Sequence, residues 1–412
     1  MLPSQKDIEI LRELAVRYAG HASLPVQSQK REFWRSMNNG KMIKPMIAID
    51  QMPWNELDVD GFLICKVEDP YWHWVEWNLR MEIYKWEHLP ADMVLNPYIL
   101  IPRHIGSTGY GIAPKDHTSV TDPSSAVLGH YYEAVIEEPE DVEKIQIPQI
   151  SVDRDADKAV SEVADYIFAG IIPWKFSGWT FHLGLWDFLS QWLGVENCYI
   201  ELMDRPEFMH ACMERLTVAM ISQIEQGNKL GIFDVTTNIT HCSYTFSDFL
   251  PPADCNLDAP QSKDVWAFGL AQLFSSASPD ITAEFEVPYM QRLFPYFGAV
   301  YYGCCDRLDD RLDIVDRMPK IRKVSCSPWS KREAFAEKLP AKYIMSNKPS
   351  PAILATDVFD EDAARADIRR TIDAAKQYGK RVELILKDIS TVRYDPRRLW
   401  RWSEIAVEET LR

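Results

Sequence analysis

The chain has no apolar stretch near the roughly 20 residues needed to span a bilayer, and no run of Lys and Arg. The first absence argues against a membrane helix. The second argues against nucleic acid and anionic lipid as partners, because both need a basic stripe to neutralise phosphate. The formal net charge of −16 points the same way. Cysteine is also scarce. The eight residues at 65, 198, 212, 242, 255, 304, 305 and 326 show no repeated spacing and no CxxC pair. That pattern excludes a disulfide framework and leaves free thiols or metal ligands. The opening "MLPSQKDIEILREL" is charged and lacks a signal-peptide core, so a cytoplasmic protein is expected.

What the chain does have is core. Of 412 residues, 46% are hydrophobic and 26% charged, the balance of a globular protein. Its 14 tryptophans include several in polar surroundings ("DQMPWNE", "CSPWSKRE"), which suits an aromatic-lined cleft as well as a core.

Periodicity predicts the elements. "SQKDIEILRELAVRYAGHA" is an amphipathic helix capped by Ser4, with Ile8, Leu11, Leu14, Ala15 and Tyr18 on its apolar stripe. A second helix covers about Gln27 to Asn39. "KPMIAIDQMPW" opens with a short buried strand that ends at Asp50. In "YWHWVEWNLRMEIYKWEHL", Trp74, Trp77, Met81, Tyr84 and His88 recur at helical spacing and read as the core face; Glu76, Arg80 and Glu82 read as a solvated one. From Glu137 helices and strands alternate. "DVWAFGLAQLFS" reads as a helix, while "GAVYYGCC", "IRKVSCS", "KYIMSNKP" and "RVELILKD" read as strands. Alternation over so long a stretch implies a parallel sheet. A count near eight favours a (β/α)8 TIM barrel over residues 41–412, with an N-terminal helical extension over residues 1–40.

With the strands in place, "EEPEDVEKIQIP" (137–148), "LMDRPEFMHACMERL" (202–216), "SPDITAEFEVPY" (278–289), "YGCCD" and "SNKPSPAIL" (346–354) occur in an order that resembles the uroporphyrinogen decarboxylase superfamily. The resemblance implies a (β/α)8 barrel and one of two chemistries. The decarboxylase branch grips its substrate with arginines near the first strand. Here that place reads "IAIDQMPWNEL", without Arg and with a carboxylate. The other branch is the corrinoid-dependent methyltransferases, several of which hold zinc on a His-x-Cys strand end plus a distant Cys. Here the His position is Tyr302, Cys304 follows, and "LILKDIST" offers no third Cys. The resemblance therefore implies a methyltransferase that demethylates a small aromatic methyl ether and passes the methyl to a separate corrinoid protein. Cobalamin would be carried by that partner, since the chain shows no room for its own cobalamin domain. A decarboxylase or lyase acting on a small carboxylate, and a non-catalytic binding barrel, are the alternatives. Self-association stays open.

Barrel enzymes place their chemistry at the C-terminal ends of the strands. Those ends offer Asp50, Asn96, His241, Tyr302, Cys304, Cys305, Cys326, Asn347, Lys348, Lys387 and Asp388. Demethylating an ether needs its oxygen protonated or bound to a Lewis acid. His241, Asp50, Tyr302 and Lys387 are the candidate catalytic groups, with His241 as proton donor and Asp50 as an acid raised by burial. An inward Lys387 should meet Asp50 or a substrate anion. Asn96, Trp329, Asn347 and Lys348 are the candidate substrate contacts, with Tyr302 and Trp329 as a stacking wall. Cys304 and His241, with a carboxylate, are the candidate zinc ligands. If the strand runs on through the cysteine pair, Cys304 faces the cavity and Cys305 packs outward.

Overall fold

Short β-rich segments separated by long amphipathic helices fold here into a mixed α/β architecture. The structure, a computed structural model, describes residues 2–120, 123 and 128–412. Nine strands matter for the site: β1 (Met46–Ile49), β2 (Ile99–Pro102), β3 (Trp174–Ser177), β4 (Phe181–Leu183), β5 (Trp266–Gly269), β6 (Ala299–Tyr302), β7 (Ile321–Cys326), β8 (Ile344–Asn347) and β9 (Arg381–Leu386). Seven form one parallel sheet in the order β1-β9-β8-β7-β6-β5-β4, and β2 pairs in parallel with β3. The arc is TIM-barrel-like, as the alternation predicts. Among the described residues its ladder does not run unbroken around a ring of eight. It stops on either side of β2–β3, where isolated bonds take over: Asp92 N–H donates to Ile47 O, and Trp179 N–H to Ile232 O.

Four of these strands, β1, β5, β6 and β8, are buried along their whole length, as expected for a parallel sheet covered by helices. "DVWAFG" is one of them. Its sequence was compatible with a helix, but Trp266–Gly269 is strand β5, bonded to β4 and β6. A four-residue apolar run carries too little periodicity to separate the two.

Three helices position the N-terminal third: α1 (Gln5–Ala22), α2 (Pro25–Asn38) and α3 (Pro70–His88). The predicted stripe of α1 is buried, and Ser4 caps it by accepting from Asp7 N–H. In α3 the buried face is rotated from the predicted one. Trp72, Val75, Leu79 and Ile83 fill the core, while Trp74 is exposed. Glu76 and Arg80 are buried rather than solvated. Glu76 accepts the backbone N–H groups of Lys66 and Val67 and pairs with Arg80, which reaches Phe62 O. The pair satisfies loop polar groups that have no other partner in the core, which is what makes its burial tolerable. No described helix is long and apolar enough to cross a membrane.

Candidate active site

Parallel strands deliver their last residues to one edge of the sheet. Side chains alternate across each strand, so parity decides which residues enter the interior. On β6 the inward residue is Tyr301. Its hydroxyl donates to Ser346 Oγ at 2.6 Å, and the Lys348 ammonium donates to it at 2.5 Å. Tyr302 faces the helices, with its hydroxyl 3.4 Å from Glu286 and its ring against Phe294. The same parity turns Asn347 outward, where its Oδ1 accepts from Thr371, and sends Ser346 and Lys348 inward. Tyr302 and Asn347 thus leave the site, and their neighbours Tyr301 and Ser346 enter it. Cys326 packs outward in the core.

His241 reaches the interior by a strained turn. Ile239–Thr240 and Ser243–Tyr244 pair antiparallel with two residues between them. Both loop residues are left-handed, His241 at φ 47° and Cys242 at φ 65°. Two-residue hairpins require this geometry and normally use Asn or Gly for it, so "THCS" gives no turn signal. Such positions cost about 1–3 kcal/mol each and concentrate at functional sites. The turn lays the His241 ring on Phe268 at 3.7 Å and 9°.

Gly303, at φ +89°, ends β6 and bends the chain. Alternation stops there, and both following sulfurs reach the same region. Cys304 Sγ and Cys305 Sγ lie 3.6 Å apart, so Cys305 is not packed outward as strand continuation would have it. Ser325 Oγ–H donates to Cys304 O, and Asp306 accepts Cys304 N–H, fixing the bend.

Lys387 is the centre of the arrangement. Its ammonium lies 3.2 Å from Cys304 Sγ, 3.2 Å from Asp388 Oδ2 and 3.3 Å from His241 Nε2, with only 3% of the side chain exposed. Its partners are these three and not Asp50. An ammonium only donates, so His241 accepts through Nε2 and is a neutral ring. Burial, then the charges of Lys348 and Lys387, push His241 well below the ordinary histidine range. A proton-donor role for His241 at neutral pH is therefore corrected to that of an acceptor. Burial opposes the charge on Lys387, but Cys304, Cys242 and Asp388 outweigh it and hold its pKa high. Lys348 hydrogen-bonds to the Tyr301 and Ser346 hydroxyls, and the pull of Cys242, Glu383 and Cys304 on its proton is the weaker influence. Burial, then repulsion from Lys387, pulls it down to about 8. The hydrogen bond with Cys305 and the charge of Lys387 pull the Cys304 thiol down against burial, whereas Cys305 is pushed up.

Asp50 ends β1, beside Lys85 at 3.4 Å. Burial pushes its carboxyl up, but Lys85 and the Gln51 N–H more than offset this and hold it ionised. It is not an acid raised by burial. Asn96 lines a separate cavity of about 360 Å3 with Tyr18, Glu82, Asp234 and Thr237. Trp329 is exposed. It lines an open cleft of about 810 Å3 with Tyr199, Leu273, Arg307 and Cys305, without Tyr302. Beneath the cluster, Lys323 pairs with Glu383 at 2.8 Å and donates to Ser243 Oγ. Neither charge was among the sequence candidates. Both carry a readable signal: a charged residue inside an apolar run, on the inward parity shared with Ser325 and Lys387.

Cys304 Sγ, Cys305 Sγ and an Asp388 oxygen lie within 4.8 Å of one another, a donor set of zinc-like composition that does not include His241. The Lys387 ammonium already contacts two of the three. A dication brought there meets a fixed positive charge, a repulsion on the order of 4 kcal/mol per unit charge at 4 Å and an effective dielectric of about 20. With Lys387 in place the residues do not fit a metal.

No family model matches the chain, and no curated protein matches it. Among solved structures the chain is similar to a methyltransferase from Methanosarcina mazei, with a TM-score of 0.50 and 12% identity over 92% of this chain and 97% of that one. At that identity the likeness concerns the fold, and it spans nearly the whole of both chains.

Proposed function

We propose that the chain is a methyltransferase with a fold like that of the uroporphyrinogen decarboxylase superfamily, which removes the methyl group of a small aromatic methyl ether and passes it to a separate corrinoid protein. One observation carries the reading: two buried lysines stand at the ends of neighbouring strands, close enough for Lys387 to lower Lys348, and their environments push their pKa values apart. Pairs of this kind divide proton transfer and charge stabilisation between them. Lys348, near 8, keeps its proton at neutral pH and gives it up readily, so it protonates the departing ether oxygen, directly or through the Tyr301 hydroxyl it touches. Lys387 stays charged and holds the Cys304 sulfur, Asp388 and His241 in place. The open cleft beside Cys305, with Trp329 on its rim, suits the approach of a flat macrocycle carried by a second protein. A Co(I) corrinoid, when bound there, supplies the nucleophile that takes the methyl. The fold neighbour, itself named a methyltransferase, supports this reading.

A second reading is favoured by the same two cations: a decarboxylase or lyase whose substrate carboxylate lies between Lys348 and Lys387. One experiment separates them. The chain is incubated with a Co(I) corrinoid protein and a panel of methoxylated aromatic acids, and the corrinoid absorbance and released CO2 are both followed. Methyl transfer from at least one donor is expected, falling about 100-fold or more in Lys348→Met. CO2 release without methylation would select the second reading. Silence in both channels, with a corrinoid that methyl iodide still methylates, would reject both.

A further inference from the structure

We propose that the Lys387 ammonium is a built-in stand-in for a metal ion: the sulfur, nitrogen and oxygen donors of the cluster are organised around it, and it excludes a dication from them. The inference goes beyond the methyl-transfer reading and holds or fails separately from it.

Three observations carry it. The first is stoichiometry. An ammonium has three N–H bonds, and Lys387 has three acceptors of three different elements, Cys304 Sγ, Asp388 Oδ2 and His241 Nε2, all at 3.2–3.3 Å. The second is backbone. Each acceptor is presented from left-handed backbone at or beside its own residue: Gly303 at φ 89° before Cys304, His241 at 47°, and Asp388 at 56°. Three such positions converging on one atom indicate that the fold is arranged to bring these donors together. The third is burial. The Lys387 side chain is 3% exposed, so its charge is held in the interior by these partners and not by water.

Metal donors lie under the ammonium. Without it, Cys304, Cys305 and Asp388 form a three-donor cup, and His241 Nε2 is freed beside it. Removing one unit of positive charge at this range favours a cation by roughly a thousandfold or more.

The test is zinc binding by the reduced full chain, titrated in competition with a chromophoric chelator. A parallel titration with Co2+ looks for sulfur-to-metal charge-transfer bands. The wild-type chain is expected to take no zinc from the chelator and to show no such bands. Lys387→Ala is expected to take one zinc per chain and to show bands that vanish when Cys304→Ser is added. If near-UV circular dichroism shows that Lys387→Ala is not native, Lys387→Met, which keeps the aliphatic stem, is read in its place. Wild-type protein that binds one zinc with Cys304-dependent bands would overturn the proposal. So would a natively folded Lys387 variant that gains no affinity. The readout involves neither a methyl donor nor a corrinoid, so its failure is distinct from failure of the proposed reaction.

Discussion

Lys348 and Lys387 carry the same side chain into the interior from neighbouring strands, and their neighbours decide what each can do. Lys348 donates to the neutral hydroxyls of Tyr301 and Ser346, and the pull of Cys242, Glu383 and Cys304 is too weak to offset burial and the charge of Lys387, so its proton is labile. Lys387 meets a thiol held low and a carboxylate, so its proton is fixed. A proton donor works while protonated. Activity that depends on Lys348 is therefore full below about 8 and falls as pH rises through that value, tenfold per unit beyond it. The expected result is a basic limb near 8 in log kcat/KM that disappears, with most of the activity, in Lys348→Met. A limb that survives that substitution would assign the titration to another group. Asp50, Lys348 and Lys387 were legible from sequence as polar residues at strand ends; His241 was read as one too, but it sits in a hairpin turn. What sequence could not give was parity. Tyr302 stands where the resembling family has the His of His-x-Cys, and that selected it, but the inward ring belongs to Tyr301. Asn347 reads with Lys348 as the end of its strand, where Ser346 points in.

Between strand and loop, two short turns do most of the positioning, and neither announces itself in the sequence. The His241–Cys242 turn uses two residues that are poor at left-handed backbone. Gly303 is the clearer case. Its φ of +89° is one that L side chains rarely adopt, and an added Cβ would stand 2.7 Å from Leu308 Cδ1 and 3.1 Å from Ser325 Cβ. Leu308 can move aside. The Ser325 backbone cannot, because it belongs to β7, paired on both sides. Gly303→Ala is therefore expected to destabilise the chain by about 1–3 kcal/mol. It should also shift the bend that carries Cys304 and Cys305, slowing methyl transfer more than the loss of stability explains. Urea unfolding and kcat on the same preparation check both halves. A variant with wild-type midpoint and wild-type rate would show that the bend has no such role. The elements easiest to predict were those with long periodicity, α1 above all. Those missed were short: β4, the hairpin at 239–244, and β5, whose four apolar residues passed for helix.

At the scale of the molecule, the sequence showed a strand–helix alternation but not how the N-terminal helices join it. They read as an extension of a self-sufficient barrel, because an amphipathic helix says only that it has a partner and not which one. In the structure α2 enters the same core as β1. Trp34 is fully buried, donates through its indole N–H to Asp92 O, and lies against Tyr244 and 5.4 Å from the Lys323 ammonium. Asn38 donates to Tyr244 O and Phe246 O, so α2 also holds the chain that follows His241. Removing the Trp34 ring opens a cavity beside the buried Lys323–Glu383 pair. Trp34→Ala is accordingly expected to cost about 3–5 kcal/mol of stability. Deletion of residues 1–40 should abolish cooperative urea unfolding altogether, since it strips one wall from the core that carries the site. A truncated chain that still unfolds in a single sharp transition, at a midpoint near that of the full chain, would instead make the two helices an appendage. The strand-end cluster would then have to be held in place by the sheet alone.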